Sequence, residues 1–504
     1  MTGNTQNRHF YITTAIPYVN GDPHLGHALE FVQADVLARH HRHRGDAVRF
    51  LSGTDDNALK NVTAAQVAGL PIAEFVAEKA SRFAGLANPL QLLNDDFIRT
   101  STDPRHRPGV ERLWQACAGA GDLYQNDYQG LYCAGCEAFL TPDELNPAGH
   151  CSEHKTAPDH VSETNWFFRL SRYQDQLLEL IESDQLRIEP EHRRNEVLSF
   201  IRAGLSDFSA SRAQKRAHNW GVPVPGDPSQ VIYVWFDALG NYITALDYAN
   251  KGPDYAEWWQ HSQERVHVIG KGIIRFHAVY WPAMLLSAGE PLPTTIFVHD
   301  YLSVEGQKLA KSLGNAIDPN DIVERYSSDA LRWWFLRDVP RNGDADFKET
   351  ALVARANELA DSLGNLINRT ISMLLRYRAP DHGPSTLHLR EAEPLTTACV
   401  ALPAAIDTAL AVFDLRGATE ALWLVVTEAN RFITVTEPWN LGKDAQSGNV
   451  YSAQKLGAVL AVLQDTATLL ASELVPFLPE AAGRITQALE HLDLELGRAL
   501  FPKF

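Results

Sequence analysis

The stretch HFYITTAIPYVNGDPHLGHALEFVQADVLARHHRHRGDAVRFLSG, residues 9–53, carries a strand pattern, a loop, a helical pattern and a second strand pattern. The part up to Pro17 is rich in aromatic and β-branched residues, as strands are. Leu29, Val32 and Val36 then recur at helical spacing, and Gly45 marks a stop. AVRFLSG follows as a second buried strand. A βαβ unit implies parallel pairing. His24 and His27 are therefore expected where the first strand ends and the helix begins. Asp55 and Asp56 are expected at the carboxyl end of the second strand. Open α/β sheets bind ligands at such ends, and helix N-termini favour anions.

Outward from this unit, the 504 residues call for several domains. Hydrophobic residues make up 45% and charged residues 21%, an ordinary globular balance. A net charge of −17 argues against a protein that coats nucleic acid nonspecifically, so no DNA partner is expected. One basic run, EHRRNEVLSFIRAGLSDFSASRAQKR, places Arg193, Arg194, Arg202, Arg212, Lys215 and Arg216 together. It reads either as a local RNA contact or as a solvated helix face. The polar start MTGNTQNRHF lacks signal-peptide order, and no apolar run is long enough to span a bilayer. No membrane association is expected. Five cysteines, an odd number, suggest reduced thiols and a cytoplasmic setting.

The α/β rhythm of residues 1–117 breaks over 118–228, which reads as an inserted domain. It resumes over 229–292 at QVIYVWFDALGNYITAL and VHVIGKGIIRFHAVYWPAMLLSAG. Residues 293–350 hold TTIFVHDYLSVEGQKLAKSLGN, a strand and a hairpin with its turn near Gly306. Residues 351–504 show long helical patterns, the signature of an α bundle.

Two short motifs are weak when taken singly. HLGH is one. The other is KLAKS, where Lys308 and Lys311 lie three apart in a loop and can meet phosphoryl charge. The cysteine spacing is more specific. Cys133-x-x-Cys136 and Cys151-x-x-His154 form two knuckles with three thiolates and one imidazole, a set suited to one tetrahedral structural Zn2+. His150 is a rival ligand, and Cys117 and Cys399 read as core thiols.

In this order, the motifs resemble the signatures of class I aminoacyl-tRNA synthetases, and the methionyl-tRNA synthetase family most closely. The landmarks are PYVNGDPHLGH, ADVLARHHRHRG, LYCAGCEAFLTPDEL, VWFDALGNYITAL, VIGKGIIRFHAVYWPA, GQKLAKSLGN, SSDALRWW and TEPWNLGK, and they cover essentially the whole chain. The resemblance implies an α/β fold: a Rossmann-like parallel-sheet catalytic domain, split by a zinc-binding insertion and followed by an α-helical anticodon-binding bundle. It implies ATP-dependent ligation of L-methionine to tRNA(Met) through methionyl-adenylate, with release of AMP and pyrophosphate and with Mg2+ accompanying ATP.

Residue roles follow from the same resemblance. His24, His27, Lys308 and Lys311 match the catalytic groups, and Pro23, Gly26 and Ser312 join His24, His27 and Lys311 around ATP. Asp55 matches the carboxylate that holds the substrate ammonium. Ile16, Tyr18, Trp235, Leu239, Tyr242, Ile273, His277 and Trp281 match the lining around the methionine side chain. Asn365, Arg369, Pro438 and Trp439 match anticodon readers. The chain departs from the family at Asn57 and Ala58, where His and Gly are usual. It departs again at Gly272, where a carboxylate is usual, and at Leu309 and Ala310 in the lysine loop. Two other readings stand beside a ligase: a relative activating methionine or an analogue for another acceptor, and a noncatalytic tRNA-binding relative. The chain ends soon after the helical pattern, so a monomer without an appended module is expected. The insertion is too short for a large editing domain.

Overall fold

The computed structural model describes residues 8–133, 138–140, 145–152, 155–308, 316–377 and 389–504. The chain divides into two compact units. One is Met1–Ala34, Arg44–Asn88 and Leu92–Asp300; the other is Asp35–His43, Pro89–Gln91 and Tyr301–Phe504.

The first unit is built on the βαβ element. Strand β1 (His9–Thr14), helix α1 (Leu25–His43) and strand β2 (Ala47–Thr54) follow in order, and β1 pairs parallel with β2. Gly45 carries φ +92°, so it stops the helix in a backbone shape that favours glycine. Strand β3 (Asp96–Arg99) extends the sheet beyond β2. On the other side of β1 lie the strands Glu264–Gly270 and Thr295–His299, again parallel. The chain thus builds outward from β1 in one direction and later returns on its other flank. That reversal creates a switch point between β1 and Glu264–Gly270, with a crevice outside their carboxyl ends. Every described residue of Thr295–His299 is buried, as a parallel sheet covered on both faces requires.

Two features differ from the sequence reading. The sheet runs past residue 292, because Thr295–His299 is one of its strands. The segment 118–228 is not wholly apart from it either: Arg187–Glu189 forms the sixth strand, pairing parallel with Thr295–His299. Three residues, of which only Ile188 is buried, are too few to show a strand period. The rest of the insertion holds an antiparallel sheet in the order Ala138–Leu140, Leu123–Cys133, Asp159–Phe168 and Phe208–Ser209.

The basic run lies within this unit, and its arginines face carboxylates and rings. Arg193 pairs with Asp300 and Glu196, Arg202 with Glu182, and Arg216 with Glu163. Arg212 is buried against the rings of Tyr132 and Tyr233. Arg193, Arg212 and Arg216 are thus tied into the fold, whereas Arg202 and Lys215 lie on a solvated face.

In the second unit, the hairpin turns at Glu305 and Gly306, both at positive φ, which is the geometry two-residue hairpins prefer. Long helices follow: Glu393–Leu410, Leu415–Thr436 and Val450–Glu473, with Glu349–Glu358 and Asn365–Tyr377 joined by a π turn at Leu359–Gly364. No described helix is long and apolar enough to cross a membrane.

Candidate active site

The loop after β1 delivers His24 and His27 to the mouth of α1, beside the switch point. Their rings stack with centroids 3.8 Å apart. The main-chain N–H of His24 donates to Nδ1 of His27 at 3.1 Å. The N–H of Gly26 donates to Nδ1 of His24, also at 3.1 Å. Each Nδ1 therefore accepts, so in the neutral ring the proton sits on Nε2. Both imidazoles present Nε2–H as donors, suited to phosphoryl oxygens. Gly26 has a structural reason as well: a Cβ there would lie 3.0 Å from Cε1 of His24 and crowd the ring. Upstream, Asp22 is held by Lys79 and Arg82, which fixes the loop against the helix Ile72–Ala84. Pro23, next in the loop, is buried.

At the end of β2, Asp55 is buried and pairs across to Tyr18 in a parallel bridge. The N–H of Asp55 donates to the carbonyl of Pro17 at 3.0 Å, which holds the end of β2 beside the β1 extension. Tyr18 meets the ring of Trp235 edge-on. Trp235 in turn stacks on Phe276 at 3.8 Å. Tyr242, His277, His267 and Trp281 form the adjoining cluster, all buried.

Hydrogen bonds set the tautomers in this cluster. The carbonyl of Ile273 can only accept, so His277 donates from Nδ1 at 2.9 Å and its Nε2 accepts from the Tyr242 hydroxyl at 2.7 Å. The indole N–H of Trp281 can only donate, so Nε2 of His267 accepts at 3.1 Å and Nδ1–H donates to Thr13. Burial lowers His277 to about 4 and holds His267 well below the usual imidazole range; it also raises the Tyr242 phenol. The cluster is neutral at physiological pH. An uncharged, polarisable side chain fits it, with a carboxylate nearby for a cationic head. Ile16 and Ile273 are partly buried and pack against the same core, which also includes Leu239.

Sequence reasoning missed several polar partners here. Glu30 accepts from the N–H of Ala15 at 2.8 Å and bonds Nε2 of His299 at 2.9 Å, tying α1 to the ends of β1 and Thr295–His299. Lys271 lies 3.6 Å from buried Asp300. Asn57 bonds Asp237 at 2.7 Å. Lone polar residues without a period leave no sequence signal, so none of these pairs was legible. The departure at Ala58 needs no special backbone, since φ is −66° there.

Other candidates fall elsewhere. Cys133 and Cys151 are both buried. Cys136 and His154 lie outside the described residues, as do Leu309, Ala310, Lys311 and Ser312; Lys308 ends the hairpin strand Gln307–Lys308. In the second unit, the Arg369 guanidinium lies 6.0 Å above the ring of Trp439, whose side chain is 38% exposed. Asn365 opens the helix Asn365–Tyr377, one turn before Arg369. Pro438 starts the next short helix at its first position, where its missing N–H costs nothing.

A parallel sheet with HLGH at its switch point defines a class I aminoacyl-tRNA synthetase. The family model described as "tRNA synthetases class I (M)" matches residues 10–161 and 141–371. A methionine–tRNA ligase of Brucella suis biovar 1 (strain 1330) is 40% identical over 491 residues, covering 95% of this chain and 91% of its own. One from Thermotoga maritima is 40% identical over 483 residues, covering 94% of this chain and 74% of its own. The solved structure of Mycobacterium tuberculosis methionyl-tRNA synthetase in complex with methionyl-adenylate is 37% identical, with a TM-score of 0.90, over 95% of this chain and 93% of that one. The chain belongs to the methionyl-tRNA synthetase family.

Proposed function

We propose that the protein activates L-methionine with ATP and passes the methionyl group to tRNA(Met). A carboxylate oxygen of methionine attacks the α-phosphorus of ATP, the bond to the bridging oxygen breaks, and pyrophosphate leaves. A terminal ribose hydroxyl of tRNA then attacks the methionyl carbonyl and AMP leaves. The observation that carries the reading is the neutral aromatic–histidine cluster of Trp235, Tyr242 and His277 beside the buried Asp55. Asp55 takes the ammonium and the cluster takes the thioether. Ile16, Tyr18, Leu239, Ile273 and Trp281 complete the lining.

His24 and His27 donate from Nε2 to the α-phosphate as charge grows on its oxygens. Pro23, Gly26 and Ser312 line the nucleotide, and Lys308 and Lys311 neutralise the departing pyrophosphate. Mg2+ bound with ATP would supply charge neutralisation on the phosphates. Positioning and electrostatics provide the catalysis.

In the insertion, the buried thiols Cys133 and Cys151 suit a soft metal, and with Cys136 and His154 they would hold one structural Zn2+. Metal analysis of the purified protein tests this, with one zinc per chain expected. Asn365, Arg369, Pro438 and Trp439 read the anticodon. The protein acts in the cytoplasm as a monomer, without membrane or DNA partners.

Methionine-dependent ATP–pyrophosphate exchange, run with and without tRNA charging, tests the whole reading. Exchange and charging together are expected. Exchange without charging would point to another acceptor, and tRNA binding without exchange to a noncatalytic relative.

A further inference from the structure

Asp55 is connected to the thioether pocket by a chain of buried and part-buried hydrogen bonds that runs through Asn57, Asp237 and His106. The main-chain N–H of Asn57 donates to Oδ1 of Asp55 at 3.0 Å, and the Asn61 amide donates to the Asp55 carbonyl at 2.9 Å. The side-chain amide of Asn57 donates to Oδ2 of Asp237 at 2.7 Å. The other oxygen of Asp237 bonds Nε2 of His106 at 2.7 Å. Nδ1 of His106 bonds the hydroxyl of Thr244 at 2.9 Å. Asp237, His106 and Thr244 are all buried.

Asp237 sits on the short helix Val234–Leu239, between Trp235 and Leu239. The link therefore joins two things that a methionine must meet at once. One is the strand end that presents Asp55. The other is the helix that presents two residues of the side-chain pocket.

The Thr244–His106–Asp237 row has the order of a hydrolytic triad, but its setting is wrong for one. Thr244 packs so closely on the helix His106–Gly119 that a Cβ at Gly109 would lie 2.4 Å from Cγ2 of Thr244. Thr244 is also fully buried, so solvent does not reach its hydroxyl. What the row does is fill one oxygen of a buried carboxylate. The second oxygen is filled by Asn57. A buried carboxylate stripped of one such partner is costly, and its element shifts to recover one.

We infer that Asn57 is a positioning residue that sets the spacing between the ammonium subsite and the thioether subsite. Its N–H aims the Asp55 carboxylate, and its amide pins that strand end to the helix carrying Trp235. The inference rests on the reading of Asp55 as the ammonium partner. It has a specific consequence. A ligand that uses both subsites depends on Asn57, whereas a ligand that lacks the amino group does not.

The test is pyrophosphate exchange with Asn57→Ala, Asn57→His and Asp55→Ala, using 4-(methylthio)butanoate as a competitive probe without an ammonium. Asn57→Ala is expected to raise the methionine KM about tenfold, the effect of one lost hydrogen bond to a charged group. The ATP KM, kcat and the inhibition constant of the probe should hold. Asn57→His retains an N–H donor towards Asp237 and should recover most of the loss. If Asn57→Ala leaves the methionine KM unchanged while Asp55→Ala raises it, the coupling is overturned and the ammonium site stands. If Asp55→Ala also leaves it unchanged, the ammonium reading falls and takes this inference with it. A parallel loss for methionine, ATP and the probe would mean a merely structural role, which also overturns the proposal. Should Asn57→Ala not fold, Asn57→Asp, which sets a second carboxylate against Asp237, must show the same selective rise in methionine KM.

Discussion

At the scale of single residues, the two histidines of HLGH owe their donor direction to main-chain amides. Because Nδ1 of each ring accepts a backbone N–H, the Nε2–H is fixed as the outward donor. His24→Ala is expected to slow adenylate formation by about 10²–10³, the usual worth of one transition-state donor, with little change in methionine affinity. Rapid-quench measurement of adenylate decides it; a near-wild-type rate would remove His24 from the chemistry. His277 offers a second check. Its folded value is lowered to about 4 by burial, against an unperturbed value of about 6.5. Between those two values the unfolded chain binds a proton that the folded chain refuses. The stability His277 contributes is therefore complete above about pH 6.5 and is lost as pH falls towards 4, amounting to roughly 3 kcal/mol. Urea unfolding of wild type and His277→Gln at pH 7.5 and pH 5 should show a smaller pH loss in the variant. The histidines themselves were legible in sequence, by motif or by resemblance. Their tautomers were not, because Ile273 and Tyr242 reach His277 only in the folded chain.

At the scale of elements, the helical domain shows how a local pattern becomes a surface. Glu437, at φ 42°, closes Leu415–Thr436 and Pro438 opens Pro438–Gln446, so the ring of Trp439 emerges at a sharp junction. The helix Asn365–Tyr377 places Arg369 beside that ring. Trp439→Ala is expected to weaken tRNA charging by about 1–3 kcal/mol, the range for one lost stacked base, and to leave pyrophosphate exchange intact. Equal charging kinetics for variant and wild type would refute base reading at this junction. The Glu305–Gly306 hairpin, α1 and β2 were all visible beforehand, since turn residues and periods of two or 3.6 are local signals. The strand Arg187–Glu189 was not, because three residues carry no period and pairing with Thr295–His299 alone makes them a strand.

At the scale of the molecule, the second unit has a buried ion pair at its core. Arg332 and Asp35 are fully buried 2.8 Å apart, and Arg332 also donates to the carbonyls of Leu90, Pro476 and Phe477. Removing one partner leaves a buried charge unpaired, so Asp35→Ala should lower unfolding stability by about 3–5 kcal/mol. Chemical denaturation reads this directly, and a loss under about 1 kcal/mol would mean that the carbonyls suffice. Nothing in SSDALRWW or ADVLARHHRHRG announces the pair. By itself the sequence determined the βαβ start, the hairpin and the long helices, because each is written within a few turns of chain. It also determined, through motifs in order, the family and the residues to examine. Only the tertiary structure decided the strand order that makes the switch point, and with it the bonds between Glu30 and His299, Asn57 and Asp237, and His106 and Asp237. Those partners stand 269, 180 and 131 residues apart. Periodicity says nothing at such separations. A polar side chain there gains its partner from the packing of strand ends and helices, which is a property of the whole sheet and of no segment within it.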